Sequence, residues 1–164
     1  MFRGALVLVT LAASNQPTEA PSAQTCDPEE AVVRAARAVA TGIIVADNAR
    51  DLERVLQYYA ADAILLPPGE QPVAGREAIR PRYEELFSRY DPQIEARVDE
   101  SCAVDGLAFV RGHNSGKLVP RQGGEARELD DTYLMLLRRE RGGEWRISHL
   151  MWHRASALLP AKPE

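Results

Sequence analysis

Three residues in the C-terminal half of this sequence carry side chains that can move a proton: His113, Asp131 and Tyr133. Asp131 and Tyr133 are two residues apart, so a β-strand would place both on one face. In a dry apolar pocket, such a pair can act as base and hydrogen-bond donor. Histidine titrates near neutrality and could also transfer protons. If the protein is an enzyme, we expect these three side chains to be catalytic. If it is not, Tyr133 is a packing residue and Asp131 lies exposed near a strand end.

A ligand pocket would need aromatic and polar side chains from several elements. The candidates for its wall are Tyr59, Arg111, His113, Tyr133 and Trp152. Each of the five has a structural alternative, and for Tyr133 and Trp152 it is packing with their polar tips satisfied. Arg111 can form a cross-strand ion pair with Glu100, which would leave His113 at the solvated end of the sheet. Tyr59 fits equally well as a core residue.

Metal, cofactor and nucleic-acid binding are not expected from this sequence. His149 and His153 share a strand face but lie roughly 13 Å apart by strand rise. There is no His-Glu-x-x-His or Cys-x-x-Cys motif, and no glycine-rich phosphate cradle. The net charge is −4, with basic residues interleaved among acidic ones, so no basic patch is available for nucleic acid. We therefore expect an apolar pocket that binds a hydrophobic small molecule.

The elements that must position these residues fall into two halves. Apolar residues at helical spacing predict a first helix starting at Asp27-Pro28 and a second capped by Asn48 with Tyr59 at the end of its stripe. Residues 63–66 predict a short strand, and residues 76–89 a third helix that Pro81 would kink or restart.

After Pro92 the apolar residues alternate, which predicts four antiparallel strands ending near His153. A two-residue turn at Asp105-Gly106 would set Cys102 opposite Phe109, Glu100 opposite Arg111, and Val98 opposite His113. The result is an α+β domain with N-terminal helices packed on an antiparallel sheet. Since both faces of the sheet are apolar, we expect the outer face to be covered by a second copy, giving a homodimer.

The first 25 residues differ from the rest. A short basic start and the apolar run at residues 5–13 resemble a secretory signal peptide, and that run is too short to span a membrane. We expect an exported protein whose mature chain begins between Ser14 and Cys26 and has no membrane span. The expected organisation is a leader at residues 1–25, one domain at 26–155 and a disordered tail at 156–164.

Two cysteines, Cys26 and Cys102, could form a disulfide in an oxidising compartment and tie the mature N-terminus to the sheet. The alternative is a buried free Cys102 and a loose Cys26. Sequence spacing does not decide between them.

Several motifs resemble the SnoaL-like branch of the NTF2-like superfamily, of the kind labelled DUF4440, a domain of unknown function. They are Tyr-Ala-x-Asp-Ala at residues 59–63, Gly-Arg-Glu-Ala-Ile at 75–79, and the Trp-Arg-Ile and Met-Trp steps of the last strand. The resemblance spans residues from about 30 to 153 and implies a cone-shaped fold, with a curved sheet around a long helix and a pocket at the open end.

The superfamily includes polyketide cyclases, steroid isomerases, dehydratases, epoxide hydrolases and non-catalytic binding or dimerisation modules, so the fold does not transfer one activity. This sequence has Leu150 where cyclase-like members show an aspartate. We therefore expect a small-molecule-binding or dimerisation module without catalysis. The alternative is a cofactor-free isomerase, cyclase or hydrolase that acts on a hydrophobic molecule by acid–base chemistry.

Overall fold

The computed structural model describes residues 30–154, which form three helices and six strands of one sheet. The helices are α1 (Glu30–Asn48), α2 (Leu52–Tyr58) and α3 (Arg76–Arg89). The strands are β1 (Tyr59–Leu66), β2 (Val73–Ala74), β3 (Tyr90–Val104), β4 (Leu107–Pro120), β5 (Arg127–Arg139) and β6 (Trp145–Arg154).

The sheet has the order β2-β1-β6-β5-β4-β3. The predicted α+β class, with helices packed on a curved sheet, is confirmed. The sheet is mixed rather than purely antiparallel, because β1 lies parallel to β6. The last four strands form the expected antiparallel meander, and β1 joins it from the helical half through a pairing distant in sequence.

The register between β3 and β4 follows the turn at Asp105-Gly106 for its first part. Cys102 lies opposite Phe109 and Glu100 opposite Arg111, as predicted. The expected pairing of Val98 with His113 is wrong, because a bulge between Val98 and Glu100 inserts one residue and sets Val98 opposite Gly112. Such a bulge increases local twist and bends the strand.

Helix α1 packs its apolar side against the inner face of the sheet, with its main contacts on β3. Its end is fixed by Asn48, whose Nδ2 donates to the Ile94 carbonyl at 2.8 Å and whose Oδ1 accepts from the Ile94 N–H at 2.9 Å. Asn48 therefore ends α1 instead of capping α2. The cap of α2 is Asp51, which accepts from the Arg54 N–H at 3.1 Å. The preceding residue, Asp47, is held at a defined place beside β3.

Two further expectations about the helices change. Tyr59 is not the last helical residue of α2 but the first residue of β1. Helix α3 has the predicted bounds and runs through Pro81 as one helix. No helix in residues 30–154 is both long enough and apolar enough to cross a membrane.

Cys102 is buried and is not a free thiol. Its proposed partner, Cys26, lies outside the described residues, so the Cys26–Cys102 pairing stays a prediction. The proposed leader, the Asp27-Pro28 helix start and the tail also lie outside them.

Candidate functional site

A cavity of about 390 Å³ lies between the inner face of the sheet and helices α1 and α3. Most of its wall is apolar: Ile43 and Ile44 from α1, Leu86 from α3, and Leu65, Ile94, Leu118, Leu129, Met135 and Leu150 from the sheet. Its volume is within the usual range for small-molecule sites. Residues of α1 and α3 line the cavity and no residue of α2 does, although Tyr59, predicted at the end of α2, was a candidate for its wall.

Asp47 brings a carboxyl group into this apolar surrounding. The residue is 7% exposed, and its Oδ1 has no hydrogen-bond partner among residues 30–154. Burial raises the pKa of Asp47 from 3.8 to about 8, so the carboxyl is largely protonated at neutral pH. Asp47 is also in the last turn of α1, where the helix dipole disfavours negative charge and no basic residue offsets it.

Asp131 and Asn114 lie directly opposite each other on β5 and β4 and both line the cavity. The Oδ1 atom of each is buried without a hydrogen-bond partner in the described part of the chain. Burial raises the pKa of Asp131, while the Arg154 guanidinium, with Nε 3.7 Å from Oδ1, acts in the opposite direction. The site thus holds three orphaned oxygens, which are buried oxygens without a direct hydrogen bond, although Asp131 Oδ1 has the Arg154 ion pair. Such atoms are rare in folded proteins.

A pair of tyrosines joins the cavity wall to the core behind it. Tyr83 lines the cavity, and its hydroxyl lies 2.8 Å from that of Tyr59. Tyr59 is fully buried behind Tyr83, so it supports the wall without forming it. Burial raises the pKa of both hydroxyls, which keeps them protonated as hydrogen-bond donors.

Tyr133 and Trp152 lie opposite each other on β5 and β6 and supply aromatic surface to the cavity. Burial raises the pKa of Tyr133 to about 12. Its hydroxyl lies over Gly112, where an added Cβ would come within 2.5 Å of the hydroxyl oxygen and closer still to the Arg97 carbonyl oxygen. Glycine is required at residue 112 by this close approach.

The mouth of the cavity carries charged side chains. Arg82 Nη1 lies 2.6 Å from Glu70 Oε2, which links α3 to the segment after β1. Glu85 and Arg154 also line this region, and Glu85 pairs with Arg89 on its own helix.

Among the described residues no group of three or more His, Cys, Asp or Glu side chains has a metal-binding arrangement.

The structure brings together only part of the group of residues expected from the sequence. Asp131, Tyr133 and Trp152 line one cavity. His113 and Arg111 do not, because they point to the opposite face of the sheet. There His113 pairs with Asp130, and Arg111 Nε lies 3.1 Å from Glu100 Oε2. This corrects the grouping of His113 with Asp131 and Tyr133.

Sequence reasoning missed the charged residues at the cavity mouth and, farther inside, the polar residues Asp47, Tyr83 and Asn114. Asp47 carried a usable signal, since it follows Ile43 by four residues and therefore shares the apolar stripe of α1. A carboxyl group on such a stripe predicts a buried acid. Asn114 alternates with His113 along β4, and only the register with β5 shows which of the two faces Asp131.

A curved open sheet, helices on its inner face and a cavity between them define the NTF2-like class of α+β protein. A ketosteroid isomerase-like protein from Erwinia carotovora atroseptica is similar, with a TM-score of 0.71 and 23% identity over 79% of this chain and 99% of that chain. A conserved protein from Planctomyces limnophilus matches with a TM-score of 0.71 and 27% identity over 76% of this chain and 98% of its own.

The SnoaL-like domain family matches residues 40–148, and the chain belongs to this family. An NTF2-like protein of unknown function from Pseudomonas putida has the same fold, with a TM-score of 0.63 and 19% identity over 82% of this chain and 98% of that one. No curated protein matches the sequence significantly.

Proposed function

We propose that this protein binds a hydrophobic small molecule in the cavity between α1, α3 and the sheet. The observation that carries the proposal is a cavity of about 390 Å³ with a largely aliphatic and aromatic wall and a few buried polar groups. Small-molecule sites have this composition, in which apolar surface gives affinity and a few polar groups give orientation. The family supports it, since SnoaL-like folds include binding and isomerase-type proteins.

The neutral dye prodan is expected to bind the protein, and Leu129→Trp is expected to weaken its binding at least about tenfold because the indole fills the cavity. Glu128→Trp is the matched control, since Glu128 is the exposed neighbour of Leu129 on β5. Fluorescence titration measures both affinities. Equal affinities for the two variants would show that the dye binds elsewhere.

The second candidate is a cofactor-free isomerase, cyclase or hydrolase. Two buried carboxyl groups in one cavity favour it, because burial tunes such groups for proton transfer. Asp131, next to Arg154, would accept a proton, and the protonated Asp47 would donate one. Tyr133, as a protonated phenol, would donate a hydrogen bond to the reacting molecule.

For any compound that the protein turns over, Asp131→Asn is expected to lower kcat about 100-fold, the usual scale for a general base. His113→Ala is expected to leave kcat unchanged, because His113 lies on the outer face with Asp130. Steady-state kinetics on both variants test this. Full activity of Asp131→Asn would refute the catalytic role.

We also propose that the outer face of the sheet joins two copies of the chain. Leu134 and Met151 pair on this face beside Leu136, and Leu136 and Met151 are 42% and 47% exposed.

Leu136→Glu is expected to convert a dimer into a monomer, since it places a charge in an apolar contact. Val45→Glu, on the exposed side of α1, is the control. Light scattering at micromolar concentration measures the mass; a monomeric parent protein would contradict the proposal.

Export remains a proposal that rests on the N-terminal pattern alone. N-terminal sequencing of protein recovered outside the cytosol should find a first residue between Ser14 and Cys26. Intact Met1 in cytosolic protein would refute it.

A further inference from the structure

The three orphaned oxygens of the cavity share one property that the proposed function does not use. Asp47 Oδ1, Asn114 Oδ1 and Asp131 Oδ1 are buried and have no hydrogen-bond partner in residues 30–154, and all three are acceptors when the two carboxyl groups are ionised. Leaving a buried acceptor without a donor costs about 1–3 kcal/mol, and more for a charged group. A ligand that supplied several donors at one point would satisfy them together.

Among residues 30–154, Asp47 is the acid of the cavity wall without an ion pair, since Glu70 pairs with Arg82, Glu85 with Arg89 and Asp131 with Arg154. Four acidic side chains line the cavity, Asp47, Glu70, Glu85 and Asp131, against two basic ones, Arg82 and Arg154. Of the two acids without a direct hydrogen bond to Oδ1, Asp131 has a basic neighbour and Asp47 has none that affects its pKa. Arg154 is 3.7 Å from Asp131, and the pKa of Asp47 is governed by burial alone. A bound cation would lower the free energy of both carboxylates.

Two further features of the cavity favour a bound cation. The C-terminal end of α1 carries the negative pole of the helix dipole, and the last turn has an acidic residue but no basic one. Tyr83, Tyr133 and Trp152 line the same cavity, and aromatic faces attract cations. A small metal ion fits this wall less well than an organic cation, because the described residues form no metal-binding cluster.

We propose that the ligand of this cavity is a hydrophobic amine whose ammonium group is bound by Asp47 and Asp131, with Asn114 Oδ1 as a third acceptor. An ammonium group has up to three N–H donors, which matches the three orphaned oxygens. The hydrocarbon part of the ligand lies against the aliphatic wall. This inference rests on the proposed binding function and does not require catalysis.

The test uses three naphthalene compounds of nearly equal shape: naphthylmethylamine, naphthylmethanol and naphthoate. Isothermal titration calorimetry on the full chain at pH 7 is expected to give an amine affinity at least about tenfold above that of the alcohol, with naphthoate weakest. Asp47→Asn and Asp131→Asn are each expected to remove most of the preference for the amine over the alcohol. Asp130→Asn, an exposed neighbour of Asp131 on the other face, should retain it.

The binding should also release protons. At pH 7 the Asp47 carboxyl is largely protonated, since its pKa is about 8, and an ammonium ligand requires the carboxylate. The amine should therefore release up to about one proton per bound molecule, measured by calorimetry in buffers of different ionisation enthalpy, while the alcohol should release none. Tyr59 and Tyr83 interact electrostatically with Asp47, and the other charged or titratable groups that line the same cavity are Glu70, Arg82, Glu85, Asp131, Tyr133 and Arg154.

Equal affinities for amine and alcohol, unchanged in Asp47→Asn, would overturn the amine proposal while leaving hydrophobic binding intact. Binding of prodan without binding of naphthylmethylamine would do the same. Failure of prodan and all three naphthalenes to bind would overturn the proposed function as well.

Discussion

Replacement of Asp47 by asparagine is expected to raise the free energy of unfolding at pH 7 by about 3–4 kcal/mol. Asp47 is buried beside apolar side chains, and its pKa is raised from 3.8 to about 8. At pH 7 the Asp47 carboxyl is ionised in the unfolded chain and has to take up a proton when the chain folds, which costs free energy. Asparagine has the same shape and is neutral at every pH, so the variant avoids this cost.

The effect of Asp47 on the free energy of unfolding also depends on pH. Because the folded-state pKa of Asp47 lies above the unfolded value, its contribution to stability is complete below about pH 4. That contribution is lost as the pH rises to about 8, at about 1.4 kcal/mol per pH unit. Urea denaturation of the parent protein between pH 4 and 8 should show this decline in excess of that of Asp47→Asn.

Asp105→Asn is the control for the same chemical change at an exposed residue, and it should alter stability little. Parallel pH profiles for the parent protein and Asp47→Asn would contradict the buried, protonated state of Asp47. A gain in stability together with loss of amine preference would identify Asp47 as a residue kept for binding at the expense of the fold.

Gly112→Ala is expected to lower the free energy of unfolding by about 3 kcal/mol. Residue 112 has ordinary backbone angles, so the effect comes from contact alone. The added methyl group would meet both the Tyr133 hydroxyl and the backbone carbonyl of Arg97. The side chain can move, but the carbonyl belongs to β3 and can move only if the strands separate.

Gly69→Ala is an informative comparison, because Gly69 has a φ of 72° but no atom within 4 Å of an added Cβ. It should cost only about 1 kcal/mol, the usual effect of the backbone conformation. Chemical denaturation measures both variants. If Gly112→Ala were less damaging than Gly69→Ala, the close approach of Tyr133 to β4 would be wrong. Gly112→Ala should also weaken prodan binding, since Tyr133 would shift within the cavity.

The fold was predictable where its signals are local. The turn at Asp105-Gly106 set the first part of the β3–β4 register, and apolar spacing located α1 and α3. The parallel pairing of β1 with β6 was not predictable from periodicity, because it joins segments far apart in sequence. The bulge near Val98 was not predictable for a related reason. It depends on how β3 bends around α1, and the alternation of side chains does not encode that bend.

The site was predictable only in part, since its residues come from separate elements. Asp131 and Tyr133 were predicted to share a sheet face and Trp152 to belong to the pocket wall, and all three line one cavity. His113 was grouped with them on chemical grounds, and the register of β4 with β5 assigns that place to Asn114 instead. Asp47 was not predicted as a site residue, because helical periodicity located the apolar face of α1 and the acid on that face was not considered.

The two hydrogen bonds between Asn48 and Ile94 have a consequence for association between chains. Strand β3 is at one edge of the sheet, where unpaired backbone groups can recruit a strand from another molecule. Asn48 occupies both the N–H and the carbonyl of Ile94, and Arg37 donates to the Val98 carbonyl at 3.3 Å on the same strand. Because helix α1 occupies these backbone groups, we expect it to block strand addition, and with it aggregation, along this part of the edge.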